Sequence, residues 1–420
     1  MPSPVVVQKY GGSSLAGADR IKHVARRIAR ERATGADLVV VVSAMGDTTD
    51  DLIELAHSLT DEPDPRELDL LLATGEHMSG TLVTMALHAL GLPAVSLTGP
   101  QAGIRTDASH GRARIANLDP SRLQRELAAG KVVIVAGFQG STGDAYDTAD
   151  VTTLGRGGSD TTAVAVAARL GAERCEIYTD VEGILTADPR LVPEARLLPI
   201  IGYEEMLELA HQGAQVIQNR AVELGWVSGV EISVRSTFGD GPGTLIKEDP
   251  HVEQRNKVRG LATDRNVAKV TLVEVPDRPG VARLIFEPLA EAGINVDMIV
   301  QNVGHGGTTD LSFTIPQVDL ARARKLLEPV RRELEAADLL ADSSVAKVSI
   351  VGAGIQNAPG YAARMFGTLA GEDINIEMIS TSEIRITCII AEDDLERAAR
   401  ALHRAFALER PDVLDTAAVG

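Results

Sequence analysis

The sequence predicts an α/β protein with a mostly parallel sheet sandwiched by helices, followed by two small α+β modules. Short apolar runs alternate with longer helical patterns over about the first 248 residues, which is typical of such a sheet. A polar, charged stretch then breaks the alternation, as a linker between domains does. The remaining residues contain a degenerate internal repeat, which indicates two similar modules.

Six runs rich in valine and isoleucine are the candidate strands. They are apolar on both faces, as buried parallel strands are, and they lie at 5–8, 38–42, 94–97, 132–136, 176–179 and 231–234. Helical patterns occupy the stretches between them, near 18–33, 48–59, 75–90, 121–129, 159–170 and 203–224. Ligands of such sheets bind beyond the carboxyl ends of the strands, so we expect the functional residues there.

Three matched segments define the repeat. They are Ala-Lys-Val at 268–270 and 346–348, Pro-Gly at 279–280 and 359–360, and Ile-Asn-Val-Asp-Met-Ile at 294–299 with Ile-Asn-Ile-Glu-Met-Ile at 374–379. Nearly equal spacing of the matches favours duplicated modules, and a chance match of two sheet-containing segments is the alternative. The predicted division is a first domain at 1–248, a linker at 249–262, and modules at 263–342 and 343–420.

Composition and charge exclude several classes of protein. The formal net charge of the 420 residues is −18, and no basic stretch stands out, which argues against a nucleic-acid surface or a polybasic membrane anchor. No apolar run approaches about 20 residues, and the N-terminus lacks the features of a signal peptide. Cys175 and Cys388 lie far apart without metal-ligand spacing, so a reduced cytoplasmic protein is expected.

The first candidate anion site is the segment from Gln8 to Ser14, which follows the first strand and precedes a helix. Gly11 and Gly12 allow backbone N–H groups to approach an anion, and Lys9 adds a point charge where phosphate oxygens would lie. A tight Gly-Gly turn without a ligand is the alternative.

A second candidate site runs from Thr153 to Asp160, ahead of an alanine-rich helix. As in the first site, its glycines allow backbone N–H groups to approach an anion at the start of a helix. Arg156 is suited to binding a carboxylate. Plain helix capping by Ser159 or Asp160 is the alternative, although capping and ligand contact are compatible.

Polar residues end two further predicted strands and open one helix. Thr179-Asp180-Val181-Glu182-Gly183 supplies carboxylates that could organise a metal–nucleotide complex, or that could only build an Asp-Gly turn. The segment 43–50 carries small hydroxyl residues, and Glu76 lies near the start of a helix. The chain has no Gly-x-x-x-x-Gly-Lys-Ser/Thr motif, and a partial dinucleotide motif at 351–357 lies inside a repeat too small for a Rossmann domain. The nine histidines form no ligand spacing, so no metal-binding motif is predicted.

In this order, the motifs resemble those of aspartate kinases, members of the amino-acid kinase superfamily with tandem C-terminal ACT domains of ferredoxin-like fold. The likeness covers essentially the whole chain and is greatest to actinobacterial, lysine- and threonine-regulated members. The segments on which the resemblance rests are Lys9-Tyr10-Gly11-Gly12-Ser13-Ser14, Ser43-Ala44-Met45-Gly46, 152–160, Thr179-Asp180, Thr186-Ala187-Asp188-Pro189-Arg190, Cys175-Glu176-Ile177-Tyr178 and Gln301-Asn302-Val303.

The resemblance implies ATP- and Mg²⁺-dependent phosphorylation of the side-chain carboxylate of L-aspartate to 4-phospho-L-aspartate. This reaction opens lysine, threonine and methionine biosynthesis. The implied catalytic residues are Lys9, Arg156 and Asp180. The implied nucleotide site comprises Lys9, Tyr10, Gly11, Gly12, Ser43, Ser159, Thr179, Asp180, Leu185, Arg190 and Gln215. The implied aspartate site comprises Asp47, Thr48, Thr49, Glu76, Arg156, Gly157, Gly158 and Ser159. Mg²⁺ is expected to arrive with ATP.

The resemblance also implies feedback inhibition by lysine, threonine or both, and a homo-oligomer formed through the ACT domains, possibly with a shorter regulatory subunit. The implied effector residues are Asp277, Pro279, Gly280, Ala282, Asn295, Asp297, Gln301, Tyr361, Ala362, Asn375, Ile376, Ser382 and Glu383.

Three positions depart from the family pattern. Gln215 replaces a lysine that neutralises nucleotide phosphates, Leu185 replaces a tyrosine, and Ala362 replaces a threonine of the effector site. Two alternatives to a working aspartate kinase therefore stay open. One is a catalytically weakened, amino-acid-sensing regulatory subunit, and the other is a related amino-acid kinase with a different substrate.

Overall fold

The computed structural model describes residues 3–143, 149–214, 216–248, 256–302, 306–355 and 359–411. Gln215, one of the predicted nucleotide residues, lies outside this part of the chain. The first half of the predicted linker at 249–262, residues 249–255, also lies outside it.

The first half of the chain alternates strands and helices, as predicted. Its strands are β1 Val5–Tyr10, β2 Asp37–Val42, β3 Ala94–Leu97, β4 Ile104–Thr106, β5 Ile115–Leu118, β6 Val132–Ala136, β7 Gln139–Ser141, β8 Val151–Thr153, β9 Arg174–Thr179, β10 Ile200–Ile201, β11 Ile232–Ser236 and β12 Thr244–Ile246. Its helices are α1 Gly12–Leu15, α2 Ala18–Arg32, α3 Thr48–Leu59, α4 Pro65–Ala89, α5 Ser121–Ala128, α6 Gly158–Leu170, α7 Tyr203–His211 and α8 Asn219–Ser228.

Eight strands form one sheet in the order β10-β12-β11-β9-β1-β2-β6-β3. Every adjacent pair is parallel except β11 and β12, which confirms the mostly parallel sheet. Separate apolar cores cover the two faces, so strands such as β6 are buried at every residue. The carboxyl ends of β1, β2 and β9 meet at one edge, where the motifs predicted to bind ligands begin.

Two predicted helices were wrong in their bounds. The helix predicted at 203–224 is two helices, because α7 ends at His211 and Gly213 has a φ of +120°, which a helix cannot contain. The helix predicted at 75–90 begins earlier, at Pro65, where the Asp64 carboxylate accepts hydrogen bonds from the N–H groups of Arg66 and Glu67.

A four-stranded sheet of order β5-β4-β7-β8 was not predicted. Its strands have only three or four residues, too few to show a period in the sequence. It lies beside the carboxyl edge of the large sheet, since β6 runs into β7 and β8 leads to the second glycine-rich segment.

The second half contains two α+β modules. The strands are β13 Gly260–Asp264, β14 Ala268–Pro276, β15 Ile299–Gln301, β16 Thr308–Ile315, β17 Asp338–Asp342, β18 Val345–Val351, β19 Met378–Thr381 and β20 Arg385–Ala391. The helices are α9 Val281–Glu291, α10 Leu320–Glu333, α11 Tyr361–Gly371 and α12 Leu395–Ala405, with 3-10 turns at Gln317–Asp319 and Glu392–Asp394.

The two antiparallel sheets have equivalent orders, β15-β16-β14-β17 and β19-β20-β18-β13. Strand β13 therefore occupies in the second sheet the place that β17 occupies in the first, although it precedes the first module in the chain. The predicted domain boundaries at 248, 262 and 342 stay predictions. Strand β13 shows that the second module includes residues that precede the first module in the chain.

Among the described residues, no helix is both long and apolar enough to cross a membrane.

Candidate active site

Lys9 lies one residue before the end of β1, between the neighbouring strands β2 and β9. The chain then turns into α1, and the N–H of Gly11 donates to the carbonyl oxygen of Tyr178 over 3.3 Å. A Cβ atom on Gly12 would lie 2.8 Å from the carbonyl oxygen of Ala44, so this close approach requires glycine.

The ammonium group of Lys9 pairs with the carboxylate of Asp160 over 2.6 Å, and the two side chains are only 12% and 7% exposed. Asp160 lies in the first turn of α6, whose N-terminus favours negative charge. This pair connects the first glycine-rich segment to the second. It holds the Lys9 ammonium at the edge of the sheet, beside the first turn of α6.

A cavity of about 440 Å³ opens at this edge, between the two glycine-rich segments and helices α3 and α4. The structure brings eight of the predicted residues to its walls: Lys9, Ser43, Thr49, Glu76, Arg156, Gly157, Gly158 and Ser159. Asp47 and Thr48, predicted with them, are not among the lining residues and lie at the start of α3. Apolar walls come from Ile53, Leu68, Leu72 and Phe138, none of which was predicted.

Glu76 supplies a buried carboxylate to the cavity. Its Oε1 accepts a hydrogen bond from the N–H of Ala44 over 3.2 Å, whereas its buried Oε2 has no hydrogen-bond partner among the described residues. Burial raises the pKa of Glu76 to about 7, because the ionised form loses its hydration. The cavity therefore offers an acceptor that a cationic group of a ligand could satisfy.

Arg156 lies at the rim of the cavity on a loop that only glycines permit. The flanking residues Gly155 and Gly157 have φ values of +79° and +70°, and a Cβ on Gly157 would lie 1.5 Å from the Cγ of Gln218. The Arg156 side chain is 88% exposed and contacts the exposed carboxylate of Asp50 over 3.2 Å. Because exposed ion pairs are weak, a ligand carboxylate can replace Asp50.

Asp69 is a buried residue of the cavity wall that sequence reasoning missed. Its carboxylate accepts hydrogen bonds from the hydroxyl of Thr153 and from the N–H of Gly111 over 3.0 Å, and it contacts His110 Nδ1 over 2.8 Å. It lies seven residues before Glu76 on one face of α4, a helical spacing that could have revealed it. Asp69 thereby ties α4 to β8, which leads into the Arg156 loop.

The other predicted nucleotide residues in the described part of the chain are not among the lining residues of this cavity. The Thr179 hydroxyl donates to the exposed carboxylate of Asp180 over 3.1 Å, at the end of β9. Arg190 is 87% exposed and pairs with Asp188 over 2.7 Å, and half-buried Leu185 forms an isolated bridge with Leu197. Tyr10 is fully buried and its ring stacks on that of Tyr178, so its side chain belongs to the core.

Comparison with known proteins identifies the family. The model of the amino acid kinase family matches residues 4–236, and that of an ACT domain matches residues 270–329 and 348–406. An aspartokinase of Corynebacterium efficiens is 50% identical over 409 residues, which cover 96% of each chain. The chain belongs to the aspartokinase family.

Solved structures agree with this assignment and confirm the fold. E. coli aspartokinase III in complex with aspartate and ADP superposes with a TM-score of 0.78 at 27% identity, covering 96% of this chain and 99% of that one. The same enzyme in complex with lysine and aspartate gives a TM-score of 0.76 at 26% identity, with coverages of 96% and 99%. The resemblance of this aspartokinase to actinobacterial members is likewise confirmed.

The predicted effector residues of the aspartokinase lie in separate places within one chain. Pro279 and Gly280 line a hollow of about 360 Å³ before α9, next to Asp277 and Ala282. Asn295 and Asp297 line another hollow, of about 380 Å³, between α7 and the two ACT domains. The remaining residues lie at the end of β15 and around α11 and β19: Gln301, Tyr361, Ala362, Asn375, Ile376, Ser382 and Glu383. Among the described cavities, none gathers the set.

Proposed function

We propose that this aspartokinase transfers the γ-phosphoryl group of ATP to the side-chain carboxylate of L-aspartate. One observation supports the proposal above all others: Lys9 near the end of β1 and Arg156 after β8 line a single cavity together with Glu76, whose Oε2 has no hydrogen-bond partner among the described residues. The lining carries two cations, Lys9 and Arg156, and three carboxylates, of which Asp50 and Asp69 have partners within the protein. The two cations and the unsatisfied oxygen of Glu76 complement an amino acid with two carboxylates and one ammonium group.

In this proposal, Arg156 binds one carboxylate of aspartate and Glu76 accepts a hydrogen bond from the ammonium group. The ammonium would also restore the ionised form of Glu76 by supplying the charge partner that the free protein lacks. The other carboxylate then faces Lys9 and the first turn of α6. Hydroxyl groups of Ser43, Thr49 and Ser159 provide further hydrogen bonds in the same cavity.

The chemistry needs no general base, because a carboxylate is already ionised at neutral pH. Its oxygen forms a bond to the γ-phosphorus while the bond from that phosphorus to the bridging oxygen of ADP breaks. Lys9 and the backbone N–H groups of the glycine-rich segments neutralise the charge that builds up on the phosphoryl oxygens. Catalysis then consists of positioning and charge neutralisation.

We place the nucleotide along Thr179, Asp180 and Arg190, next to the Lys9 segment. Mg²⁺ usually binds through one or two carboxylates together with substrate phosphates, and it keeps several waters. The exposed Asp180 carboxylate, whose recorded partner is the Thr179 hydroxyl, fits that requirement. Asp180 would hold Mg²⁺, which would supply positive charge that neutralises the phosphates.

The test is the formation of aspartyl hydroxamate by purified protein with ATP, Mg²⁺, aspartate and hydroxylamine. We expect product with aspartate and much less with glutamate. Folded protein that yields no product, or that prefers glutamate, would overturn the proposal. A Gln215→Lys variant separates the alternatives, since a large gain in rate would identify the natural chain as a weakened kinase that serves mainly to sense amino acids.

We further propose that lysine, with or without threonine, inhibits the enzyme through the ACT domains of an oligomer. The complex of E. coli aspartokinase III with lysine supports lysine as an effector. Dispersal of the effector residues within one chain supports a site completed by a second copy. Gln301→Ala or Asp277→Ala should relieve inhibition and keep activity. Unchanged inhibition would refute these two assignments.

A further inference from the structure

The loop 186–196, which follows β9 and carries Arg190, packs on the second ACT domain. Ala187 and Val192 are buried in the same apolar core as Leu402 of α12 and Phe406, which follows it. The backbone N–H of Leu261, in β13 of the ACT sheet, donates to the carbonyl oxygen of Thr186 over 2.7 Å. A segment of the kinase domain thus contributes to the core of a regulatory domain.

Polar contacts with α12 and the residues after it fix both ends of the loop. The Thr186 hydroxyl lies 2.9 Å from Nε2 of His403, and both residues are buried. The guanidinium of Arg400 donates to the carbonyl oxygen of Leu191 over 2.8 Å. Arg196 donates to the carbonyl oxygen of Leu408 over 3.1 Å. Every one of these partners belongs to the last described segment of the chain.

Arg190 lies at the tip between these anchors. The N–H groups of Leu191 and Val192 donate to the carbonyl oxygen of Asp188, which closes a tight turn around Arg190. The Asp188 carboxylate holds the guanidinium of Arg190 from the side. Since the residues on both sides of the turn are anchored in the ACT domain, that domain sets the position of Arg190.

We propose that His403, with Arg400, is a positioning residue of the nucleotide site, acting through Thr186 and the loop 186–196 on Arg190. The second ACT domain then forms part of the support for ATP binding, while the aspartate cavity is built without it. The inference rests on the proposed function, because it takes Arg190 as a nucleotide contact. Movement of α12 would change the apparent affinity for ATP before that for aspartate.

The test compares Michaelis constants for ATP and aspartate in four variants. His403→Leu removes the hydrogen bond to Thr186 and should raise KM for ATP about 5–10-fold, with KM for aspartate nearly unchanged. His403→Gln should restore most of the affinity, because its side-chain amide can replace the imidazole nitrogen. Burial lowers the pKa of His403, so a neutral replacement is the appropriate match.

Arg400→Met and Arg397→Met form a matched pair on the same helix. Arg400 reaches the loop, whereas the Arg397 contact recorded in the structure is with Asp394 of its own segment. We expect a smaller rise in KM for ATP with Arg400→Met and none with Arg397→Met. Because Arg400 is partly exposed, this pair carries the test if His403→Leu does not fold.

The outcomes separate the two proposals. Wild-type protein without hydroxamate formation would refute the proposed function. Active wild-type protein whose KM for ATP is unchanged in His403→Leu and Arg400→Met would refute the positioning role alone. An equal rise of both Michaelis constants would also refute it, because it would indicate general loosening. Cleavage by trypsin after Arg190 should accelerate in His403→Leu, which reports the anchoring of the loop independently of catalysis.

Discussion

The proposed aspartate side and the proposed nucleotide side of the candidate site are built differently. The aspartate side is a cavity whose walls come from the kinase domain, with the largely buried side chains of Lys9 and Glu76. The nucleotide side consists of exposed residues after β9, among them Asp180 and Arg190. Its loop packs on the second ACT domain rather than on the kinase sheet.

This contrast indicates which of the two substrates depends on the ACT domains for its binding. Buried walls fixed by glycine contacts change little when a neighbouring domain moves. An exposed loop whose anchors lie in another domain follows that domain. We therefore expect substitutions in the cavity to affect aspartate and catalysis, and substitutions at the ACT contact to affect ATP.

The largest effect is expected for Lys9→Met. The substitution removes the positive charge that we propose to lie nearest the transferring phosphoryl group, and kcat should fall by about 10²–10³. It also leaves the Asp160 carboxylate buried without its partner, which should lower stability by roughly 3–5 kcal/mol. Hydroxamate formation under saturating substrates and thermal unfolding measure the two effects.

The double variant Lys9→Met/Asp160→Asn separates catalysis from folding. It removes both charges of the buried pair, so stability should recover while activity stays low. Recovery of activity together with stability would mean that Lys9 acts only as a structural partner of Asp160.

Glu76→Gln should change the pH dependence of stability. The pKa of Glu76 is raised to about 7 by burial, whereas the ordinary value is 4.5. Between these values the unfolded chain loses a proton that the folded protein keeps, so the free energy of unfolding falls as pH rises. The loss reaches at most about 3 kcal/mol above pH 7. Glu76→Gln lacks this loss and should exceed wild type in stability at alkaline pH.

The same variant should bind aspartate more weakly, with KM raised about 10–100-fold, because a neutral amide replaces the acceptor of the ammonium group. Denaturant unfolding of free wild type and variant at acidic and alkaline pH checks the stability. A difference in stability that is the same at every pH would show that Glu76 is ionised in the free protein.

Arg156→Lys tests the rim of the aspartate cavity. Lysine cannot form the paired hydrogen bonds of a guanidinium with a carboxylate, so KM for aspartate should rise about tenfold. Stability should hardly change, since the Arg156 side chain is 88% exposed. Asp50→Asn is the control, because it frees Arg156 from its pair and should leave KM for aspartate unchanged or lower. A rise in KM for ATP instead would assign Arg156 to the nucleotide side.

Local patterns predicted much of the fold and one side of the site. Runs of valine and isoleucine marked the parallel strands, and parallel strands end at one edge, which is why Lys9 of β1 and the residues after β2 and β9 could be expected together. Arg156 instead follows β8 of the small sheet, which was not predicted. Contacts between distant segments could not be predicted in this way. Neither the pairing of β13 with β18 nor the burial of Ala187 in the ACT core leaves a periodic signal nearby.

The contacts of Asp69 with Thr153 and Gly111 are also long-range, although its helical spacing from Glu76 is visible in the sequence. Asp69→Asn is expected to have the smallest effect. The amide keeps the shape of the carboxylate but offers an N–H group to neighbours that are themselves donors, the Thr153 hydroxyl and the Gly111 N–H. Unfolding should become easier by about 1–2 kcal/mol. Because Asp69 joins α4, which carries Glu76, to the strand before Arg156, KM for aspartate should rise about 3–5-fold.

The control is His110→Ala, which removes one neighbour of Asp69 and leaves its carboxylate, so it should change KM for aspartate less. A rise confined to KM for ATP would contradict the division of the site, since Asp69 lines the aspartate cavity and lies apart from the loop 186–196.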